Sequence, residues 1–320
     1  MVLTPEEIFE ELKKNRINKF TAYDLLTSLV ENSKSENIRV ESIKSLEKIG
    51  LYNNKIFIIL ENLLISDSNK KIRKAAAEFL KNKFLEKALK PFKWAIKHED
   101  DYECLMTIIQ TLKKINNDES KLILFNEIKR IIKTKYINKE KKIENKKFKK
   151  IIKKLIKSKK YEIFTHNELS EILINYITIA NLTTQYPNVY YKLNPQNGLI
   201  NELDLSDYLE YEVKGTPFGW KNNIKSISEI VGLNHLHHLK KIDLSNNQIE
   251  DVKELVNFEY LTHLILTNNK ISELENLEYI KALRNLEYLD LRYNDIVNKI
   301  NPYEFDTNIR VLLKDYLILK

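Results

Sequence analysis

The densest chemistry in the chain is a run of lysines. Residues 129–160, KRIIKTKYINKEKKIENKKFKKIIKKLIKSKK, carry sixteen basic side chains and two acidic ones, a net +14. Arg130 is the single arginine of the run. An ammonium is a compact point charge suited to phosphate or carboxylate, whereas the bidentate reading of a base edge is characteristic of arginine. Within the run Phe148, Ile151, Ile152, Leu155 and Ile156 recur at i, i+3, i+4, i+7 and i+8, one apolar face of an amphipathic helix. Lys146, Lys147, Lys149, Lys150, Lys153 and Lys154 surround that face and are the candidate polyanion ligands. Such a helix would attract nucleic acid, an anionic membrane surface or an acidic protein. The alternative is a solvated lysine face on the last helix of a longer helical array.

His235, His237 and His238 in NHLHHL suggest a metal at first sight. Leu236 and Leu239 take the core positions there, so the histidines are expected to face mostly outward, and no carboxylate or cysteine stands at a fixed ligand spacing beside them. The one cysteine, Cys104, can form neither an intrachain disulfide nor a thiolate cluster. Nucleophile–base pairs and phosphate-cradling motifs are missing from the sequence. Five glycines stand where an average chain of 320 residues would hold about 22, which argues against the glycine-rich loops of a nucleotide-binding enzyme. No enzyme activity, cofactor or metal is expected.

The elements that must position these groups emerge from length and composition. At 320 residues two domains are expected, and 43% hydrophobic with 31% charged residues is enough for a large core. The net charge of +8 is uneven: residues 1–128 hold +2, and residues 199–320 hold −6. The opening MVLTPEEIFEELKK is acidic and amphipathic and does not read as a secretory signal, and no apolar run approaches a membrane span. A cytoplasmic protein without a membrane span is expected.

Self-similarity is clear in the last third. LKKIDLSNNQI from Leu239, LTHLILTNNKI from Leu261 and LEYLDLRYNDI from Leu286 are spaced by 22 and 25 residues. Each ends on an asparagine at its ninth position (Asn247, Asn269, Asn294) and an isoleucine at its eleventh (Ile249, Ile271, Ile296). This pattern resembles the short leucine-rich repeat. Strand side chains alternate, so Leu244, Leu266 and Leu291 are expected in the core and the intervening residues on the open face of a parallel sheet. Three columns follow on that concave face: Lys241, His263 and Tyr288; Asp243, Ile265 and Asp290; Ser245, Thr267 and Arg292. Exposed Ile265 and Tyr288 are the expected anchors for a protein partner, together with Lys241, Asp243, His263, Asp290 and Arg292. LINELDLSDY from Leu199 supplies an earlier strand-like unit. After it, YLEYEVKGTPFGWKNN breaks the pattern as an insertion or a degenerate repeat, and its Phe218 and Trp220 would extend the surface.

The N-terminal part repeats differently. IRVESIKSLEKI from Ile38, IRKAAAEFLKNKF from Ile72 and CLMTIIQTLKKI from Cys104 align through Ile43, Ala77 and Ile109, and through Leu46, Leu80 and Leu112. Their Ile-Arg pairs and apolar spacing resemble HEAT repeats, stacked helix pairs, although the aspartate usual before the pair is absent and Leu105 replaces the third arginine. Trp94 in KPFKWAIKHEDD is similar to the tryptophans of HEAT-like DNA glycosylases; beside Phe92 and Ile96 it is expected in the core instead.

The fold class expected is thus α plus α/β solenoid: an N-terminal α-α (HEAT-like) superhelix over 1–136, a basic amphipathic helix or linker over 137–163, a helical cap over 164–198, leucine-rich repeats with a parallel sheet over 199–300, and a C-terminal cap over 301–320 with an apolar stripe of Ile309, Leu312, Leu313 and Tyr316. The function expected is a non-enzymatic scaffold for protein partners. The alternative is a nucleic-acid-associated adaptor using residues 129–160.

Overall fold

The computed structural model describes residues 3–133, 144–186, 189–207, 222–301 and 304–314. The chain divides into two compact units: Met1–Thr134 with Tyr161–Ser170, and Lys135–Lys160 with Glu171–Lys320.

The first unit is built on the helices α1 (Pro5–Lys13), α2 (Lys19–Asn32), α3 (Glu36–Ile49), α4 (Asn54–Ser66), α5 (Lys70–Lys83), α6 (Leu89–His98), α7 (Tyr102–Ile115) and α8 (Asp118–Lys133). Their starts are written locally. Thr4 and Glu7 form a capping box ahead of Pro5, and Asn18, Ser35, Asn53, Asn69 and Asp101 each accept an amide of the first turn. Gly50 and Asn116 end α3 and α7 in the left-handed region. Helices α3, α5 and α7 pack on one another in series, as do α4, α6 and α8. The aligned residues Ile43, Ala77 and Ile109, and Leu46, Leu80 and Leu112, are all buried along the first series.

Between these helices runs a polar ladder invisible to a search for a nearby aspartate. The Ile-Arg arginine of α3, Arg39, reaches Asp67 in the turn before α5 at 2.5 Å and the Val30 carbonyl at 2.7 Å. Arg73 of α5 makes the same step to Glu99 before α7, with Nε and Nη2 at 2.8 and 2.7 Å, and donates to the Asp67 and Ser68 carbonyls. Burial would raise the Glu99 carboxyl, but Arg73 and the Asp101 amide outweigh it and bring it down to about 2.

In the second unit, α9 (Glu144–Ser158) and most of α10 (His166–Gln185) accompany a six-stranded sheet in chain order: β1 (Tyr190–Leu193), β2 (Ile200–Asp204), β3 (Lys241–Asp243), β4 (His263–Ile265), β5 (Tyr288–Asp290) and β6 (Arg310–Leu312). β1 pairs antiparallel with β2, and every later pair is parallel. A short helix, α11 (Glu275–Lys281), and single turns of tighter helix return the chain between strands. Leu203, Ile242, Leu264, Leu289 and Val311 stand in register across the parallel strands and are buried, as are Leu244, Leu266 and Leu291. Truncating any of these leucines is worth about 2–5 kcal/mol.

Two expectations about the ends of this unit need correction. Segment 164–198 is helical only to Gln185, and its YYKL forms β1 with Tyr191 and Leu193 buried and Tyr190 and Lys192 outward, a period of two. In segment 301–320 the stripe at helical spacing gives way to strand β6, paired with β5; Tyr316 lies outside the described residues.

The asparagines tie successive turns together. Asn269 Nδ2 donates to the carbonyls of Leu244 and Leu266 at 3.0 and 2.9 Å, while its Oδ1 accepts the Ile249 amide at 3.0 Å. Asn247 and Asn294 repeat the arrangement with Leu205 and Leu244, and with Leu266 and Leu291. Asn222 belongs to the same series: its Nδ2 donates to Leu205 and Ser206. Asp207 takes the place of Asn246, its amide donating to Ser245 as that of Asn246 does to Thr267, and fourteen residues then precede Asn222 where Asn247 follows Asn246 directly; those residues, 208–221, lie outside the described residues.

Candidate functional site

The open face of the sheet brings the expected columns together. Lys241, His263 and Tyr288 are direct neighbours across β3, β4 and β5, and Asp243, Ile265 and Asp290 form the adjacent column. Strands β2 and β6 extend both: Glu202 and Arg310 flank the first, Asp204 and Leu312 the second. Ladder neighbours lie about 4.8 Å apart, so five residues of one column span about 19 Å.

The centre of the first column is a stack. The His263 and Tyr288 rings lie 5.7 Å apart at 21°, and the Arg310 guanidinium stands 5.7 Å from the other side of Tyr288. Burial, followed by the neighbouring Asp290, pushes the Tyr288 hydroxyl above its ordinary value, so it stays a neutral donor. Thr262 Oγ1 lies 2.8 Å from His263 Nδ1 and 3.0 Å from the Lys240 carbonyl, to which it donates.

The carboxylates of the second column serve the turns that leave the strands. Asp204 Oδ1 accepts the Ser206 amide and hydroxyl, and Asp243 Oδ1 accepts those of Ser245. Asp290 accepts the Arg292 amide at 3.2 Å and its guanidinium at 2.8 to 3.3 Å. Burial raises the Asp243 carboxyl; Ser245 opposes this, while Asp204 adds to it.

Three site expectations change. Ile265 and Tyr288 are half-buried, because neighbours on the ladder cover their flanks. Asp290 is 2% exposed, its carboxylate closed over by Arg292, so a partner would meet the arginine and not the acid. Phe218 and Trp220 lie outside the described residues. The face is graded in net charge: Asp204 and Asp243 outnumber Lys241 toward β2, and Arg292, Arg310 and Lys314 outnumber Asp290 toward β6. Glu202 is answered by Lys192 of β1 at 2.7 Å.

Helix α9 carries the second candidate site. Phe148 and Ile152 are buried, Phe148 lying 5.2 Å from the Tyr176 ring of α10. Gly198, with φ +75°, presses on this helix so closely that a Cβ there would run into Ile152. Lys146, Lys147, Lys150, Lys153 and Lys154 are exposed; Lys149 is half-buried and its ammonium is pulled down by burial. Lys147 stands 5.9 Å above the Tyr190 ring. The helix belongs to the second unit, not to the end of the N-terminal array.

Trp94 was expected in the core and is 42% exposed. Helix α6 buries Pro91, Phe92, Ala95 and Ile96, which turns Trp94 outward to stack on His98, one turn later, at 4.2 Å. It borders a cavity of about 180 Å³ with Asp67, Arg73, His98, Glu99 and Asp100. The Asp67 and Glu99 carboxylates there are engaged by Arg39 and Arg73. Cys104 is buried, its thiol pushed far up by burial and by Glu99. His237 is exposed, while His235 and His238 are half-buried, with His238 stacked at 5.8 Å on Tyr260. Among the described residues no three His, Cys, Asp or Glu side chains are grouped to hold a metal ion, and no helix is long and apolar enough to cross a membrane.

No curated protein matches the chain. Among solved structures, an internalin C2 from Listeria monocytogenes str. 4b F2365 is similar, with 33% identity over 23% of this chain and 30% of that one, and a TM-score of 0.20. The matched part thus spans less than a third of that internalin's length. The family described as "Leucine Rich repeat" matches residues 235–252 and 282–299, windows that hold β3 with Asn247 and β5 with Asn294.

Proposed function

We propose that the protein is a non-enzymatic interaction scaffold that binds a protein partner on the concave face of its leucine-rich sheet. The observation that carries this reading is the graded face. His263, Ile265 and Tyr288 form a half-buried, ring-rich centre with opposite net charge toward its two ends. Folding does not require an aromatic stack on a solvent face, and anchors of this kind dominate binding energy at interfaces. Leucine-rich repeats commonly serve as protein-interaction modules, which supports the reading. The serial packing of α3, α5 and α7 supports a HEAT-like solenoid as a second extended surface. The lone buried thiol fits a reducing, cytoplasmic setting.

The test is a comparison of proteins co-purified from the native cell with the wild-type chain and with an Ile265→Glu, Tyr288→Glu variant. A partner retained by the wild type and lost by the variant, with thermal unfolding shifted by no more than a few degrees, supports the scaffold. Identical captured sets would overturn it. If the double variant unfolds, the milder His263→Ala, Tyr288→Ala pair decides between a binding and a structural face.

A further inference from the structure

We infer that the outer face of α9 is a binding site for the phosphate backbone of double-stranded nucleic acid. Lys146, Lys150, Lys153 and Lys157 fall at i, i+4, i+7 and i+11, a straight row along one side of the helix. The row lies opposite Phe148 and Ile152, which are buried. All four are exposed, and Lys147 and Lys154 flank the row. Among the described residues no carboxylate pairs with any of the four, in contrast to Lys71, Lys74 and Lys93 of the first unit, which pair with Glu36, Glu103 and Glu119. Four like charges in line gather mobile counterions, and a continuous anion that neutralises all of them together releases those ions.

The dimensions select the anion. Eleven residues of helix rise about 16 Å, and one strand of a duplex presents a phosphate every 3.4 Å or so of axis. Because the strand also turns by about a tenth of a circle per phosphate, a straight row of this length follows about three to four consecutive phosphates, within reach of its four ammonium groups. An acidic protein surface does not offer so regular an array. An anionic membrane would normally take up the apolar face of such a helix, and here that face is occupied by Tyr176 and Gly198. Binding of single strands stacks successive bases on several exposed aromatics; Phe148 is buried, and Tyr190, although 51% exposed beside Lys147, is one ring and not a platform for successive bases. With lysines and no arginine in α9, the contact reads charge and spacing and not sequence. The inference does not depend on the open face of the sheet binding protein.

Fluorescence anisotropy with the full chain and a labelled 24-base-pair DNA duplex tests it. Neutralising four phosphates gives a slope of log K on log salt of about −3.6, so affinity should fall on the order of 100-fold between 50 and 200 mM salt. A Lys146→Gln, Lys150→Gln, Lys153→Gln, Lys157→Gln variant should lose at least about tenfold at 50 mM and most of the salt slope. Lys34→Gln, Lys90→Gln, Lys97→Gln, Lys114→Gln, which removes the same charge from exposed positions of the first unit, should leave both nearly unchanged. The inference is overturned by absence of duplex binding at 50 mM, by equal losses in the two variants, or by tighter binding to the matching single strand. Tighter, row-dependent binding to phosphatidylserine vesicles or polyglutamate would also overturn it.

Discussion

Asn269 offers a quantitative test of how the leucine-rich turns hold together. Replacing it with alanine removes bonds to the carbonyls of Leu244 and Leu266 and to the Ile249 amide. These losses are unequal. The Leu244 carbonyl keeps a bond from Asn247 and the Leu266 carbonyl one from Asn294. The Ile249 amide has Asn269 as its partner and is buried, so it alone is orphaned. An orphaned buried donor costs about 1–3 kcal/mol and each of the two lost shared bonds about 0.5–1 kcal/mol, so Asn269→Ala should destabilise by about 2–5 kcal/mol. Asn269→Asp should cost more, since it sets carboxylate oxygen against two carbonyls. Thr267→Val is the matched control: the Thr267 hydroxyl is buried two residues away and makes no hydrogen bond among the described residues, so its loss should be neutral or slightly stabilising. Denaturant unfolding followed by circular dichroism gives the free energies, and hydrogen exchange resolved at Ile249 gives the local effect. If Asn269→Ala costs less than about 1 kcal/mol and Ile249 stays protected, the ladder does not work as described.

Acid should weaken the first unit through Glu99. Its carboxyl is held near 2 when folded against an ordinary 4.5, so the contribution is complete above pH 4.5 and is lost as pH falls from 4.5 toward 2. A loss of about 1–3 kcal/mol is expected across that window, and Glu99→Gln should flatten the pH dependence of denaturation; an unchanged slope would remove Glu99 as its cause. Tyr293 adopts φ +57° at the position where Asn246 and Asn268 have φ +58° and +56°. Asparagine tolerates that left-handed conformation better than tyrosine, so Tyr293→Asn should raise stability by roughly 1 kcal/mol in a thermal melt, and a lower melting temperature would count against strain there.

The repeats at Leu239, Leu261 and Leu286 were legible because each carries a complete period: the alternating leucines define the strand and the asparagine closes the turn. The columns of the open face followed from that register. β6 was hidden, since Arg310–Leu312 lacks a following asparagine, and β1 because four residues of alternation are too few to stand out. Burial of Asp290 depended on the rotamer of Arg292, which no spacing encodes. Trp94 was misjudged by proximity to Phe92 and Ile96; their helical phase, two residues away on either side, pointed it outward. Glu99 was missed because its partner Arg73 lies 26 residues earlier, across a turn of the repeat.

Asn222 donates to Leu205 and Ser206 although fourteen residues with no counterpart in the later repeats separate it from Asp207. The length of the chain at that point is thereby uncoupled from the core. Loop closure costs only about 0.6 kcal/mol for each doubling of length, so segments of very different size can be grafted between Asp207 and Asn222 at little expense in stability. The sheet and its asparagines do not depend on that length, and the same junction is the natural place to splice in a reporter or an affinity handle.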